Sequence, residues 1–176
     1  GIYVNLYIPS TVRWVREGAP VSLTQKSSYP LDSLVQFELT MPQQMEFALN
    51  FRIPSWAEGA SISVNGKRIP EPVAPGSLAT LQHTWRTGDH VELDLPLTKH
   101  LEPIDSRHPN TVALLSGPLV LFAITDKPPK VTSQQLLAAK KTGAQSWQVE
   151  TAAAPLTMLP FTAISDEQFS TYLVVD

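Results

Sequence analysis

Short hydrophobic alternations dominate the first hundred residues. In residues 47–53 (FALNFRI) every second side chain is large and apolar, which is the pattern of a strand with one buried face. Pro54 ends that strand because proline has no N–H to donate to a sheet. Alternating or apolar segments also predict strands at residues 2–8, 12–15, 21–25, 35–41, 61–64, 78–85 and 91–97. Turn signals separate these segments at intervals of roughly 8–12 residues, a spacing typical of a β-sandwich.

Asn65-Gly66 marks the sharpest of these turns. The pair is typical of a type I′ hairpin, in which both residues have positive φ. A two-residue turn places Val64 opposite Lys67. A loop is predicted where residues that fix or free the backbone follow, at Pro70, Pro72, Pro75 and Gly76. We therefore predict an all-β fold: an antiparallel β-sandwich of jelly-roll or immunoglobulin-like type, with at most one short helix.

The sequence changes character after residue 100. The polar stretch at 101–110 (LEPIDSRHPN) is the predicted junction between a β-sandwich accessory domain, 1–104, and a second β-rich portion, 105–176. The run VALLSGPLVLFAI is apolar on both faces, as in a central strand covered on both sides. One helix is predicted from Gln134 to Lys141, with Ser133 as its N-cap. The pattern leaves open whether the chain is one sandwich or two, and strands at both ends predict a piece of a longer protein.

Composition narrows the function classes. The 176 residues contain no cysteine, which excludes disulfides, thiolate metal sites and a cysteine nucleophile. The net charge is −3 without any basic run, so nucleic acid is an unfavourable partner. No apolar stretch approaches the ~20 residues of a membrane span. We expect a soluble chain, and the compartment stays open among cytoplasmic, periplasmic and secreted.

One strand carries three metal-ligand types on a single face. His90, Glu92 and Asp94 alternate with apolar residues, and such a set can hold a metal ion. The solvated face of an amphipathic strand has the same pattern and is the favoured interpretation.

Two pairs of acids invite comparison with the carboxylates of a glycosidase. They are Glu102 with Asp105 and Asp166 with Glu167. That chemistry needs two carboxyl groups about 5–9 Å apart across a sugar cleft. The spacing of these loop residues does not support it, so no catalytic residue and no metal ligand is assigned.

Aromatic residues raise the question of carbohydrate binding. The candidates are Trp14, Trp56, Trp85, Trp147, Tyr3, Tyr7 and Tyr29. An exposed ring can stack on the apolar face of a sugar, whereas tryptophan is more often buried in a core. Packing is the favoured interpretation, and Trp56 is the single candidate for a carbohydrate contact.

Several segments in order resemble one family. GIYVNLYIPSTVRW, RIPSWA, SVNGK, PGSLATLQHTW, GDHVELDLPL and VALLSGPLVLFA resemble the region that follows the catalytic barrel in β-L-arabinofuranosidases of glycoside hydrolase family 127, and LPFTAISDEQFSTYLVV resembles its C-terminal part. The resemblance implies a zinc-held cysteine nucleophile and a glutamate acid/base in an N-terminal (α/α)₆ barrel. No such residue maps onto this cysteine-free chain, so zinc is implied for the parent protein and no cofactor for this portion.

Three functions follow as hypotheses. The first is a non-catalytic accessory region that packs, through residues such as Tyr3 and Tyr7, against its own catalytic barrel or against a second subunit in a homodimer. The second is an autonomous carbohydrate-binding module that uses exposed aromatic residues. The third is a structural, adhesion-type sandwich unrelated to hydrolases.

Overall fold

The structure, a computed structural model, describes residues 1–70 and 73–176. Pro72, one of the predicted loop residues, lies outside the described residues. The described residues divide into two compact units, Gly1–Leu97 and Thr98–Asp176. Both consist mainly of β-strands, which confirms the all-β prediction. The described residues include no helix long and apolar enough to cross a membrane.

The first unit contains nine strands in the part of the chain described. They are β1 (Ile2–Val4), β2 (Ser10–Arg16), β3 (Ala19–Ser27), β4 (Leu34–Thr40), β5 (Met45–Arg52), β6 (Ser61–Val64), β7 (Lys67–Arg68), β8 (Leu78–Trp85) and β9 (His90–Asp94). One sheet has the order β1-β5-β8 and the other β2-β3-β4-β9-β6-β7. All pairings are antiparallel except that of β1 with β5.

The core of the first unit lies between its two sheets. Phe37 of β4 and Phe51 of β5 are almost fully buried, and their ring centroids lie 5.0 Å apart. Trp85 of β8 is fully buried, and its indole N–H donates to the Phe47 carbonyl at 2.9 Å. The alternation in the sequence thus delivers one apolar face from each sheet to a shared core.

The predicted Asn65-Gly66 hairpin is confirmed. Asn65 has φ of 49° and Gly66 has φ of 77°, and Val64 pairs with Lys67. The Asn65 side chain also reaches the next turn: its amide donates to Asp89 Oδ1 at 2.9 Å and its oxygen accepts from the His90 N–H at 2.9 Å. The turn therefore ties the β6–β7 hairpin to the connection that leads from β8 of the three-stranded sheet into β9 of the six-stranded sheet.

The predicted strand 2–8 is too long. β1 ends at Val4, and beyond it Leu6 and Ile8 are exposed while Tyr7 is buried, which inverts the expected faces. The chain leaves β5 after Val4, and the Tyr7 hydroxyl donates to the Arg52 carbonyl. A buried polar tip with a partner costs little, and this allows the tyrosine to replace the leucine in the core.

The second unit is built on one eight-stranded sheet. Its strands are β10 (Lys99–Pro103), β11 (Thr111–Ser116), β12 (Leu119–Ile124), β13 (Lys140–Gly143), β14 (Ser146–Val149), β15 (Leu156–Pro160), β16 (Phe169–Ser170) and β17 (Leu173–Val174). Residues 112–116 of β11 are all buried, as predicted for a strand covered on both faces. The stretch chosen as the junction at 101–110 begins inside β10, which pairs with β11.

The predicted helix 134–141 is wrong at both ends. The helix α1 (Ser133–Leu137) has Thr132 rather than Ser133 as its N-cap. Lys140 and Lys141 belong instead to β13, because they pair with Gln148 and Trp147 of β14. Strand pairing thus overrides the favourable helical propensity of these residues. A short 3-10 helix follows β15 at Phe161–Ala163.

Candidate functional site

An apolar groove lies beside the first strand. It has a volume of about 350 Å³, and residues from β1, β2, β3 and the segment after β1 line it. Four large apolar side chains around it are exposed, with exposed fractions of 63% for Tyr3, 67% for Leu6, 58% for Ile8 and 44% for Val12. Tyr7, expected to share this surface, is buried and takes no part in it. Strands β1 and β2 are edge strands of their sheets, so this side of the sandwich also offers free backbone groups.

The segment between β1 and β2 is held by one glutamine. Gln25 of β3 is buried, and its amide donates to the carbonyls of Leu6 at 3.1 Å and Ile8 at 2.6 Å. These bonds satisfy backbone groups that β1 no longer pairs. The Gln25 hydrogen bonds therefore hold the backbone in the conformation that exposes Leu6 and Ile8.

Trp56 lies in a small aromatic cluster. Its ring stacks on Tyr29 with centroids 6.4 Å apart and an interplanar angle of 12°, and Tyr29 meets Tyr7 edge-on at 5.8 Å. Burial raises the pKa of both tyrosine hydroxyls, against the lowering effect of the Arg52 charge. Trp56 is half-buried, so its role as a carbohydrate contact stays a prediction.

The other tryptophans differ in exposure. Trp85 and Trp147 are buried in the cores of the two units. Trp14 is half-buried and packs edge-on against Phe47 at 5.8 Å. Only Trp14 and Trp56 keep a partly accessible ring among the four tryptophans.

His90, Glu92 and Asp94 lie on the outer face of the six-stranded sheet, as the alternation predicts. Polar side chains on this face already form hydrogen bonds and an ion pair with one another. Gln36 donates to Glu92 Oε1 at 3.2 Å, and Lys26 Nζ lies 3.2 Å from Glu38 Oε2. Within residues 1–70 and 73–176, no group of three or more His, Cys, Asp or Glu side chains could hold a metal ion.

The carboxylates of both acid pairs are solvent-exposed. Asp105, Asp166 and Glu167 lie in connecting segments as expected, whereas Glu102 belongs to β10, where it pairs with Ala113 of β11. His108 Nδ1 lies 2.9 Å from Asp105 Oδ1, and this hydrogen bond lowers the pKa of Asp105. The backbone N–H of Ser165 likewise lowers the pKa of Glu167. A general acid in a glycosidase needs a raised pKa, so these environments shift both groups in the opposite direction.

A second cleft was missed by the sequence analysis. It lies at one end of the outer face of the six-stranded sheet, has a volume of about 490 Å³, and is lined by Arg13, Pro20, Val21, Ser22, Thr40, Met41, Pro42 and Thr87. These residues come from three strands and two turns, and only the cross-strand register brings them together. The sequence gives no short-range motif for such a site.

Comparisons with known proteins bear on the whole arrangement. Residues 1–97 match the family model of the beta-L-arabinofuranosidase GH127 middle domain. The match covers every residue of the two-sheet unit. The chain belongs to this family. None of the curated proteins matches it. The resemblance inferred from the ordered sequence segments is thereby confirmed.

Solved structures share the fold of the GH127-family chain along nearly its whole length. A GH127 beta-L-arabinofuranosidase from Geobacillus stearothermophilus T6 has a TM-score of 0.77 and 20% identity over 99% of the chain. A glycoside hydrolase has a TM-score of 0.79 with 21% identity, and another GH127 beta-arabinofuranosidase has 0.71 with 19%, each over 99% of the chain. The chain spans only 33% to 36% of the length of these three structures.

Proposed function

We propose that this chain is the non-catalytic β-sandwich accessory region of a glycoside hydrolase resembling β-L-arabinofuranosidases. In this proposal the region packs against the catalytic barrel of the same polypeptide through the groove beside β1. The catalytic residues and any zinc belong to the barrel and not to this chain. The observation that carries the proposal is the group of four exposed apolar side chains, Tyr3, Leu6, Ile8 and Val12, around one groove.

Such a group needs an explanation in physical terms. Single exposed apolar residues are normal on a protein surface, but a contiguous apolar patch typically marks a contact surface. The Gln25 hydrogen bonds fix Leu6 and Ile8 in their outward positions. Because the solved relatives are about three times as long as this chain, a partner within the same polypeptide is the simplest occupant.

Hydrogen exchange tests this proposal directly. Backbone amides of residues 2–12 are measured in the isolated 176-residue chain and in the intact parent protein. We expect slower exchange in the parent, because packing excludes water from the groove. Equal exchange in both would remove the barrel as the occupant. Protection that rises with the concentration of the isolated chain would assign the groove to a second subunit instead.

A paired substitution sharpens the same test. Leu6→Asn with Ile8→Asn in the parent should abolish the extra protection, since polar side chains weaken apolar packing. Val15→Asn is a matched control, because Val15 is 72% exposed and does not line the groove. If the control has the same effect, the contact lies elsewhere on this side of the sandwich.

The second candidate function is a carbohydrate-binding module. Stacking on Tyr29 occupies one face of Trp56, which leaves at most the other face for a sugar. Titration of the chain with arabinan-type oligosaccharides, followed by tryptophan fluorescence, decides between the two. Saturable binding that disappears in Trp56→Ala would establish the module, and no saturable change would support the packing role.

A further inference from the structure

The second cleft has a built-in row of polar side chains. Arg13 of β2 pairs with Ser22 of β3, and Ser22 pairs with Thr40 of β4. Residues in direct cross-strand register share a face, with Cβ atoms about 4.5–5.5 Å apart. A guanidinium and two hydroxyls therefore form one line across the end of the sheet. This surface is separate from the groove used in the proposed function.

The rest of the lining is largely apolar. The register of β3 and β4 places Pro20 and Pro42 two residues beyond the row, both on the same side of it, and both are exposed. Val21 and Met41 also border the cleft, but their side chains are buried in the core. Ser22 and Thr40 are short side chains, which leaves a depression over the row beside the two prolines. A volume of about 490 Å³ lies within the range of small-molecule sites, which combine an apolar lining with a few polar groups.

Arg13 is the one charged residue in this lining, and it has no hydrogen-bond or ion-pair partner among the described residues. Arg16, on the same strand, is engaged: it donates to the Glu46 carbonyl at 2.9 Å and lies over the Phe47 ring at 5.6 Å. Farther along the same face, Lys26 and Glu38 form an ion pair, with Nζ and Oε2 3.2 Å apart. Arg13 thus differs from its neighbours in having its donors free.

The three hydroxyl side chains of the cleft also differ in whether they have hydrogen-bond partners. Thr87 is committed to the backbone of Met41, since its oxygen accepts from the Met41 N–H at 2.7 Å and its hydroxyl donates to the Met41 carbonyl. Ser22 and Thr40 have no side-chain hydrogen bond to any described residue. The groups without partners are one permanently charged guanidinium and two short hydroxyls.

The geometry points to a binding site for a small organic acid with an apolar or aromatic body. A guanidinium presents paired N–H donors that match the two oxygens of a carboxylate. The hydroxyls of Ser22 and Thr40 can donate to the same group, and the exposed rings of Pro20 and Pro42 can contact the apolar body. The lining offers little to the many hydroxyls of an acidic sugar.

Nuclear magnetic resonance titration of the isotope-labelled 176-residue chain tests this inference with phenylacetate as the probe. We expect saturable shifts confined to residues 13, 20–22, 40–42 and 87. Phenylacetamide, which has the same shape without the charge, should bind at least about tenfold more weakly, since a charge-assisted hydrogen bond is worth about twice a neutral one. Shifts that do not saturate, or that appear elsewhere, would overturn the assignment.

Two arginine variants test whether binding depends on the cleft. Arg13→Gln should weaken phenylacetate at least about tenfold, while Arg68→Gln removes an exposed charge outside this lining and should leave the affinity unchanged. Equal affinity of the wild type and Arg13→Gln for phenylacetate would contradict the inference. Galacturonate supplies the remaining comparison, and tighter binding of this acidic sugar than of phenylacetate would overturn the assigned ligand class. Because the outcomes concern the Arg13 cleft alone, they are independent of packing at the groove.

Discussion

The two units bury their apolar side chains by different means. In Gly1–Leu97 two sheets share one core, so each strand needs only one apolar face. In Thr98–Asp176 one sheet is covered on one face by α1 and nearby segments, which contribute Leu136, Val131 and Val175 to the core. On its other face the Phe122 ring meets the rings of Phe161 and Phe169 at 6.0 and 5.2 Å, although these two are 68% and 43% exposed.

This difference shows what an apolar pattern can and cannot predict. Alternation identifies the face that packs inside a two-sheet unit. A strand that is apolar on both faces indicates cover on both sides, but not how complete that cover is. The same residue type, phenylalanine, is therefore structural in the first unit and superficial at two positions in the second.

The largest expected effect compares two phenylalanine truncations. Phe51→Ala removes a fully buried ring from the first core and should destabilise by about 3–5 kcal/mol. Phe161→Ala removes an exposed ring and should change stability by no more than about 0.5 kcal/mol. Urea unfolding followed by circular dichroism measures both. Similar losses at the two positions would contradict the distinction between the two units.

Substitutions at Asn65 test how the β6–β7 hairpin is held to the Asp89-His90 turn. Asn65→Ala puts an alanine at positive φ and removes both side-chain hydrogen bonds to the Asp89-His90 turn, which together should cost about 1–3 kcal/mol. Asn65→Gly keeps the backbone conformation and loses only the hydrogen bonds, so its cost should be smaller. Unfolding measurements on both variants separate the two contributions, and equal costs would show that the positive φ carries none of the effect.

Tyr7 provides a pH-dependent probe confined to the first unit. Burial raises the pKa of its hydroxyl above the ordinary value of 10.0 in the folded state. The folded and unfolded chains both keep the neutral phenol below that value, so its contribution to stability is complete there. As the pH rises past 10.0 the unfolded chain ionises first, and that contribution is progressively lost.

Tyr7→Phe should remove this dependence. The variant loses the hydrogen bond to the Arg52 carbonyl, which should cost about 1 kcal/mol at neutral pH. Between pH 8 and pH 11 the difference from wild type should then shrink, because the wild type alone has this buried phenol to ionise. Urea unfolding across this range is the measurement, and a constant difference at every pH would argue against a buried neutral phenol.

The sequence predicted β4, β5 and β6 well because each alternates clearly and is followed closely by a proline or an Asn-Gly pair. It failed at Tyr7, where the chain leaves one sheet and a tertiary hydrogen bond to Arg52 decides which side chain is buried. It also missed the cleft at Arg13, because register across β2, β3 and β4 is not visible in any single segment. The sequence indicated Trp56 as a candidate carbohydrate contact. Its stacking on Tyr29 could not be predicted, because the two rings come from segments distant in sequence.

The smallest expected effect concerns the helix that covers the second sheet. Thr132 and Gln135 form a capping box, with Gln135 N donating to Thr132 Oγ1 at 3.1 Å and Thr132 N donating to Gln135 Oε1 at 2.8 Å. Thr132→Ala should therefore destabilise by about 0.5–1 kcal/mol, the low end for an N-cap because the site is exposed. Ser133→Ala is the matched control at the residue that the sequence favoured, and it should have almost no effect. Because Leu136 on this helix is fully buried in the second core, hydrogen exchange in β14 and β15 should increase in Thr132→Ala alone. An equal response to both substitutions would mean that the cap does not hold the helix on the sheet.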